Sequence, residues 1–173
     1  MKQNLITIVG SICMLIAFSN CQGPVTLPFE ADFTGTYTAI YPDSIICGPR
    51  YMHVLVDFTG KNKLLGAFTG NFDFCADSMG YYPGARMKAY MVAENGDTLF
   101  ISGAGQVLPG RLEDHPEYVV EYWRDPFEIL GGTGKYLGAT GGGVTDDYNS
   151  SEDQNSHHHW KGSITLVKNK VKR

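Results

Sequence analysis

From Phe33 onward the chain offers no long window of helical periodicity. Alternation of apolar and polar residues with period two recurs instead, broken by Gly, Pro, Asn and Asp. This pattern constrains the fold most. It predicts eight strands: Phe33–Tyr41, Tyr51–Thr59, Leu64–Phe74, Met87–Ala93, Thr98–Val107, Tyr118–Trp123, Lys135–Val144 and His158–Val167, with Phe127–Leu130 extending the sixth past Pro126. Met52, Val54, Val56 and Phe58 share one face, as do Met87, Ala89, Met91 and Ala93, and Trp160, Ile164 and Leu166. Asn95-Gly96 predicts a two-residue type I′ hairpin, which needs positive φ at both positions. Eight short strands with one apolar face need a closed barrel or a sandwich, because open edges template aggregation. The eight prolines fall in or beside predicted connections, where a missing N–H costs no ladder bond.

Composition agrees. Glycine is 21 of 173 residues without a collagen period, beside 21 aromatics. Hydrophobic residues are 43%, which excludes a disordered chain. A formal charge of −4 with no basic stripe excludes a nucleic-acid binder. The length fits one domain, expected over residues 33–168. Residues 169–173 read as a basic solvated tail, and Asn149–Ser156 as a polar loop.

The first residues carry an address. Lys2 is the only charge before Cys21, and Leu5–Phe18 is an apolar run of 14 residues. That is shorter than the roughly 20 residues needed to span a bilayer, and it has the layout of an export signal over residues 1–20. Leu15-Ile16-Ala17-Phe18-Ser19-Asn20-Cys21 resembles a bacterial lipobox, in which a peptidase cuts before an acylated Cys. Phe18 and Asn20 depart from that pattern; the alternative is an ordinary secreted chain whose mature end carries Cys21. Residues 21–32 then read as a lipid-anchored tether, placing the protein in the bacterial envelope. The mature charge is 13 − 18 = −5, so attachment would rest on acyl chains rather than on anionic head groups.

Cysteine arithmetic bears on the same point. Cleavage before Cys21 leaves Cys21, Cys47 and Cys75, an odd count in an exported chain. With Cys21 lipidated, Cys47 and Cys75 are left to pair, or to stand as two separate thiols. In a meander the first and third strands flank the second at about 10 Å, beyond the roughly 7 Å Cα limit for bridging. A bond therefore requires Cys47, beyond the end of its strand, to fold back over the rim.

The most distinctive stretch is Gly131-Gly132-Thr133-Gly134-Lys135-Tyr136-Leu137-Gly138-Ala139-Thr140-Gly141-Gly142-Gly143. Gly131, Gly132 and Gly134 predict a tight turn with positive φ, and Gly138 and Gly141 a bend or a close backbone approach. A phosphate-binding loop is excluded, since Ile129 and Tyr136 stand where it needs Gly and Ser or Thr. The stretch resembles the signature of allene oxide cyclase and dirigent-like barrels, above all of their bacterial exported relatives. Leu65-Gly66-Ala67-Phe68-Thr69, then Cys75, Glu94-Asn95-Gly96-Asp97-Thr98-Leu99 and Trp160-Lys161-Gly162-Ser163-Ile164 resemble the same relatives in order and spacing. The resemblance spans residues 33–167 and implies an all-β, eight-stranded antiparallel barrel. It carries no catalytic residue across, because the family's catalytic positions lie outside the matched motif.

Few residues point to chemistry. His157 and His159 share a strand face at i,i+2 and can chelate a divalent ion with Asp146 or Asp147, yet a dedicated zinc site needs three or four converging ligands. Alternation places His158 with Trp160 on the apolar face. Tyr37, Tyr41, Tyr90 and Tyr122 are candidates to line a ligand cavity, with rings as wall and hydroxyls as handles. Asp73 and Glu121 are polar handles or solvated outer residues. No Ser-His-Asp spacing is recognisable, since such triads assemble in space. No cofactor motif is read. Three functions stay open: a binding or interaction module for a small apolar ligand, an isomerase or cyclase acting on a hydrophobic substrate, and a structural envelope protein with a filled barrel.

Overall fold

The computed structural model describes residues 23–84 and 87–167. Thirteen strands are present among them: β1 (Val25–Pro42), β2 (Tyr51–Asn62), β3 (Gly66–Asp77), β4 (Tyr81–Tyr82), β5 (Met87–Val92), β6 (Thr98–Gly103), β7 (Gly105–Gln106), β8 (Leu108–Pro109), β9 (Val119–Trp123), β10 (Pro126–Gly132), β11 (Thr140–Thr145), β12 (Asp147–Ser150) and β13 (Asn155–Leu166). Eight of them, in the order β1-β2-β3-β5-β6-β10-β11-β13, form an antiparallel sheet that closes where β13 pairs with β1. The expected eight-stranded barrel is therefore the fold. Closure removes the edges that the alternating runs would otherwise expose.

β12 continues β11 along β13 in one register, from Thr145↔Trp160 through Tyr148↔His157. β9 pairs with β12 and precedes β10, so the β10–β11 wall extends upward as β9–β12. The sequence expectation that Phe127–Leu130 extends the sixth run past Pro126 holds in this form. β4 and β7 form a separate two-residue ribbon beside the barrel.

The polar loop read over Asn149–Ser156 is shorter than expected, since β12 runs to Ser150 and β13 begins at Asn155, and three further expectations need correction. First, β1 begins at Val25 rather than Phe33, so the tether read over 21–32 is strand from Val25 onward. Pro28 is accommodated because β1 there pairs with β13 alone; pairing with β2 starts at Asp32. The absent N–H is then on a one-sided stretch. Second, Lys135–Ala139 is not strand: Gly134–Tyr136 is a 3-10 turn and β11 starts at Thr140. Third, Asn95 has negative φ, which rules out type I′. The Gly96 amide donates to the Ala93 carbonyl and the Ala93 amide to the Asp97 carbonyl, with only Gly96 at positive φ. That is a type I turn followed by a left-handed glycine. Residues 1–22, with Cys21 and the signal segment, and the 169–173 tail lie outside the described residues.

The lower barrel is packed solid. Phe29, Phe33, Phe58, Phe68, Phe72, Met91, Leu99, Ile101, Phe127, Ile129, Trp160 and Ile164 fill it, with rings in contact at centroid distances such as 4.9 Å for Phe33–Phe58 and 4.7 Å for Phe127–Trp160. Tyr136, fully buried, plugs the base, its hydroxyl donating to the Leu64 carbonyl at 3.2 Å. The Gly-rich stretch makes this plug possible. Gly131 and Gly134 take the positive φ of the turn. Gly132 does not; there a Cβ would lie 2.0 Å from the Thr98 carbonyl oxygen, so close approach is what excludes a side chain.

Candidate functional site

Alternation along β13 turns Ser156, His158 and Trp160 inward, and all three are buried. The register of β11–β12 against β13 sets Asp147 opposite His158, and Thr145 and Asp147 face inward beside them. These residues stand in the upper barrel, where the aromatic packing stops. They border a cavity of about 50 Å³, together with Tyr37, Val56, Phe72, Phe74, Tyr82, Met87, Trp123 and Phe127. Its walls are mostly apolar, and its polar groups gather on the β12–β13 side. A space of that size holds about three or four waters, far less than the roughly 300 Å³ of a pocket for a drug-sized ligand.

The polar cluster is built around Asp147. Its carboxylate accepts from Trp160 Nε1 with both oxygens, at 3.1 and 3.0 Å, and from the His159 amide at 3.2 Å. Asp147 is 1% exposed, and an ionised carboxylate so buried needs compensating partners. The Trp160 indole and the His159 amide are those partners, and the ring of His158 lies alongside with Nδ1 at 3.1 Å from Oδ2. That nitrogen lies off the hydrogen-bond axis, and it is the one buried side-chain nitrogen or oxygen among the described residues left without a hydrogen bond. On the far side of the ring, Nε2 meets Ser156 Oγ at 2.8 Å.

Two tyrosines complete the mouth. The Tyr37 hydroxyl donates to Asn149 Oδ1 at 3.2 Å and interacts with Ser156; burial pushes its pKa up, so it remains a neutral donor. Tyr82 donates to Asp125 Oδ2 at 2.6 Å, an oxygen that also accepts from the Gln106 amide at 3.1 Å. Burial, then the Asp125 carboxylate, push the Tyr82 pKa far up. Burial also raises Asp125, against the hydrogen bonds that favour its charged form. This latch ties the β4–β7 ribbon to the barrel, with Tyr82 on the cavity wall.

Of the candidate tyrosines, only Tyr37 lines the cavity. Tyr41 is turned out by a bulge between Tyr37 and Ala39, which shifts the β1–β2 register and sets Tyr41 opposite His53. A one-residue shift exchanges the two faces of a strand. On the outer wall the Tyr41 hydroxyl meets His53 Nδ1 at 3.0 Å, and His53 Nε2 meets Asp73 Oδ1 at 2.7 Å. Tyr122 packs edge-on against His115 outside the cavity, and Tyr90 is exposed on the outer face. Glu121 is exposed, bonded to Asn149 Nδ2.

His157 and His159 do share the outer face, yet each has its own carboxylate. His157 pairs with Asp153 at 3.1 Å and stacks on Tyr148; His159 bonds Asp32. Asp146 points outward to Arg124 Nε at 2.6 Å and Asp147 inward, so neither joins the histidine pair. Among the described residues no group of three or more His, Cys, Asp or Glu is arranged to hold a metal ion. Cys47 and Cys75 form a disulfide with a Cα separation of 5.4 Å. The 43–50 loop folds back past the rim onto the outer wall and buries His53 beneath it.

No protein-family model matches the chain, and no curated protein matches it. Solved structures do. The pterocarpan synthase dirigent protein PsPTS1 matches with a TM-score of 0.54 at 13% identity, covering 86% of this chain and 99% of that one. The pterocarpan synthase dirigent protein GePTS1 matches with a TM-score of 0.49 at 16% identity, covering 97% and 98%. By the first likeness the closed eight-stranded barrel has a dirigent-like fold. At that identity the likeness concerns the fold alone.

Proposed function

We propose that the protein is a binding module in which the upper barrel takes the apolar end of a small ligand and reads a polar substituent with Tyr37 and the Ser156–His158 pair. The observation that carries this is the division of the interior: solid aromatic packing below, and above it a cavity with apolar walls and one polar side. Small barrels that do not fill with side chains hold one small ligand. The enclosed space suits a single ring edge or a short chain; anything larger requires the ribbon latched by Tyr82 to lift.

Trp123 and Trp160 are the only two tryptophans in the chain and both border the cavity. A heavy-atom phenol such as 4-iodophenol should therefore quench intrinsic fluorescence along a saturating curve. Quenching that stays linear with concentration, as from collisions in solution, refutes the reading. The buried Asp147–His158 pair favours a second reading, an isomerase or cyclase moving protons on an apolar substrate. Turnover without any covalent enzyme adduct would mark it.

The setting we propose is the bacterial envelope, with Cys21 acylated. Only Gly23 and Pro24 are described before β1, and the strand from Val25 runs away from the packed base toward the mouth, with Tyr37 near its upper end. Four residues from Cys21 to Val25 reach at most about 14 Å. The packed base would then rest near the membrane and the mouth would face away from it. Cys21→Ser should release the protein from the membrane fraction; retention after normal processing refutes the anchor.

A further inference from the structure

We propose that Ser156, His158 and Asp147 form a nucleophile, base and orienter that transfer and hydrolyse a small acyl group in the upper barrel. The proposal rests on the reading of that cavity as a ligand site and adds its reaction class. Three observations carry it. Ser156 Oγ and His158 Nε2 stand 2.8 Å apart, within the range for a base to take a nucleophile's proton. The opposite ring nitrogen, Nδ1, faces the buried carboxylate of Asp147 at 3.1 Å. That carboxylate is itself fixed by the Trp160 indole and the His159 amide. Nucleophile, base and orienter thus touch in series, with Ser156 and His158 on the cavity wall. The geometry follows from the fold: two successive inward positions of β13 and the residue opposite on β12.

The loose His158–Asp147 contact fits a resting site. Such bonds are often poorly aligned without substrate and tighten as charge develops on the imidazole. Ser156 Oγ also reaches the Gly35 carbonyl at 3.4 Å as a donor; once that long contact is given up, and with Nδ1 carrying the ring proton, Nε2 accepts the Ser156 proton. Oγ then bonds to the carbonyl carbon of an ester, and His158 holds the proton. Collapse breaks the carbon–oxygen bond to the alcohol, which leaves with that proton, giving acyl-Ser156. Water adds to the acyl carbon and loses a proton to His158. Release of the carboxylic acid returns that proton to Oγ. The Tyr37 hydroxyl, on the same wall of the cavity as Ser156, would have to leave Asn149 Oδ1, which it holds at 3.2 Å, to donate to the carbonyl oxygen as charge builds there. A space of about 50 Å³ restricts the acyl group to a few heavy atoms, so the substrate class is a short-chain ester of an apolar alcohol.

The test uses the full-length protein with methanesulfonyl fluoride, whose transferred group has only a few heavy atoms, and p-nitrophenyl acetate. Sulfonylation should add one group per chain, on the peptide containing Ser156, with fluoride leaving. Ser156→Ala should abolish both the adduct and acetate turnover. His158→Gln should slow labelling on the order of 10²-fold or more. Asp147→Asn should lower kcat with KM unchanged, and Asp147→Glu should recover part of the loss, which a merely structural role would not produce. An unlabelled Ser156, a label elsewhere, or turnover that survives Ser156→Ala overturns the proposal. The wild-type labelling decides the matter even where a variant fails to fold. Saturable quenching by 4-iodophenol without an adduct overturns the triad alone; loss of both overturns the ligand site as well.

Discussion

Replacing Cys47 and Cys75 together by Ala tests how far the outer loop depends on its covalent tie. The bond closes 28 residues. The chain-entropy relation converts a loop of that size to about 3.6 kcal/mol at 25 °C. The Cα separation of 5.4 Å lies in the ordinary range for a disulfide, so no geometric mismatch offsets the gain. Both half-cystines are buried, at 0% and 2% exposure, and two small voids add to the loss. The variant should therefore unfold in urea with a stability lower by at least about 3 kcal/mol. For a domain of about 140 residues this is a fall in Tm of roughly 12 °C. The m-value should rise, because the unlinked denatured chain expands. What opposes the loss is the noncovalent hold on the same loop. Asp43 Oδ1 accepts from the Ile45 and Ile46 amides at 3.0 and 2.9 Å, and Asp43 Oδ2 lies 3.4 Å from His53 Nδ1. Stability lost by less than about 1 kcal/mol at unchanged m would mean that this cluster holds the loop alone, and that the entropic argument fails here.

Three further outcomes follow from the packing and the charges. Gly132→Ala should destabilise by about 3 kcal/mol or more, since the new methyl would meet the Thr98 carbonyl at 2.0 Å and Tyr136 Cβ at 2.7 Å; a change under about 1 kcal/mol in urea unfolding contradicts the close approach. A chain beginning at Phe33 loses the pairing of Val25–Ala31 with β13 and the fully buried Phe29; Phe29→Ala alone should cost about 3–5 kcal/mol, and a shortened chain that melts like the intact one refutes the strand assignment. Asp125 has a folded pKa raised chiefly by burial, so its contribution to stability is present below the unfolded value and is lost as pH rises through the folded value. Asp125→Asn, neutral throughout, should therefore gain in Tm relative to wild type as pH rises above the unfolded value of about 4; a difference that stays constant over that rise shows that burial of this carboxylate carries no such cost.

The barrel was legible because its information is local. Alternation in β2, β5 and β13 assigns inner and outer faces without knowledge of any partner, and Met52, Val54, Val56 and Phe58 needed only their own period. Glycine clustering located the basal turn, though proximity of Tyr136 to Thr98 could not be read from it. Errors fell where a neighbour decides. Residues 21–32 read as a tether because sequence does not say that Val25–Ala31 has β13 as a partner. Lys135–Ala139 alternates acceptably but folds into a turn that seats Tyr136 in the base. Tyr41 shares parity with Tyr37, and a single extra residue at the bulge reverses its side.

The candidate site shows the same division more sharply. His158 and Trp160 were placed inward by period two alone; Ser156 reads from sequence as the end of a polar loop, and it joins their face because β13 begins at Asn155. Asp147 could not be so placed, because Asp146 precedes it in an equally plausible position, and the two carboxylates point to opposite faces. Choosing between them takes the cross-strand register, in which Thr145 faces Trp160 and Tyr148 faces His157. That register is held by the full β11–β12 ladder and by Arg124, which draws Asp146 outward at 2.6 Å. A slip of one residue would present Asp146 to the interior and Asp147 to Arg124, exchanging the buried charge without changing the composition of either strand. The inner wall resists that slip, since it would also expel Thr145, whose hydroxyl accepts from the Asp125 amide at 3.0 Å. The position of the buried carboxylate is thus fixed by pairing on both sides of Asp146, and the serine and histidine acquire their partner only once the barrel has closed.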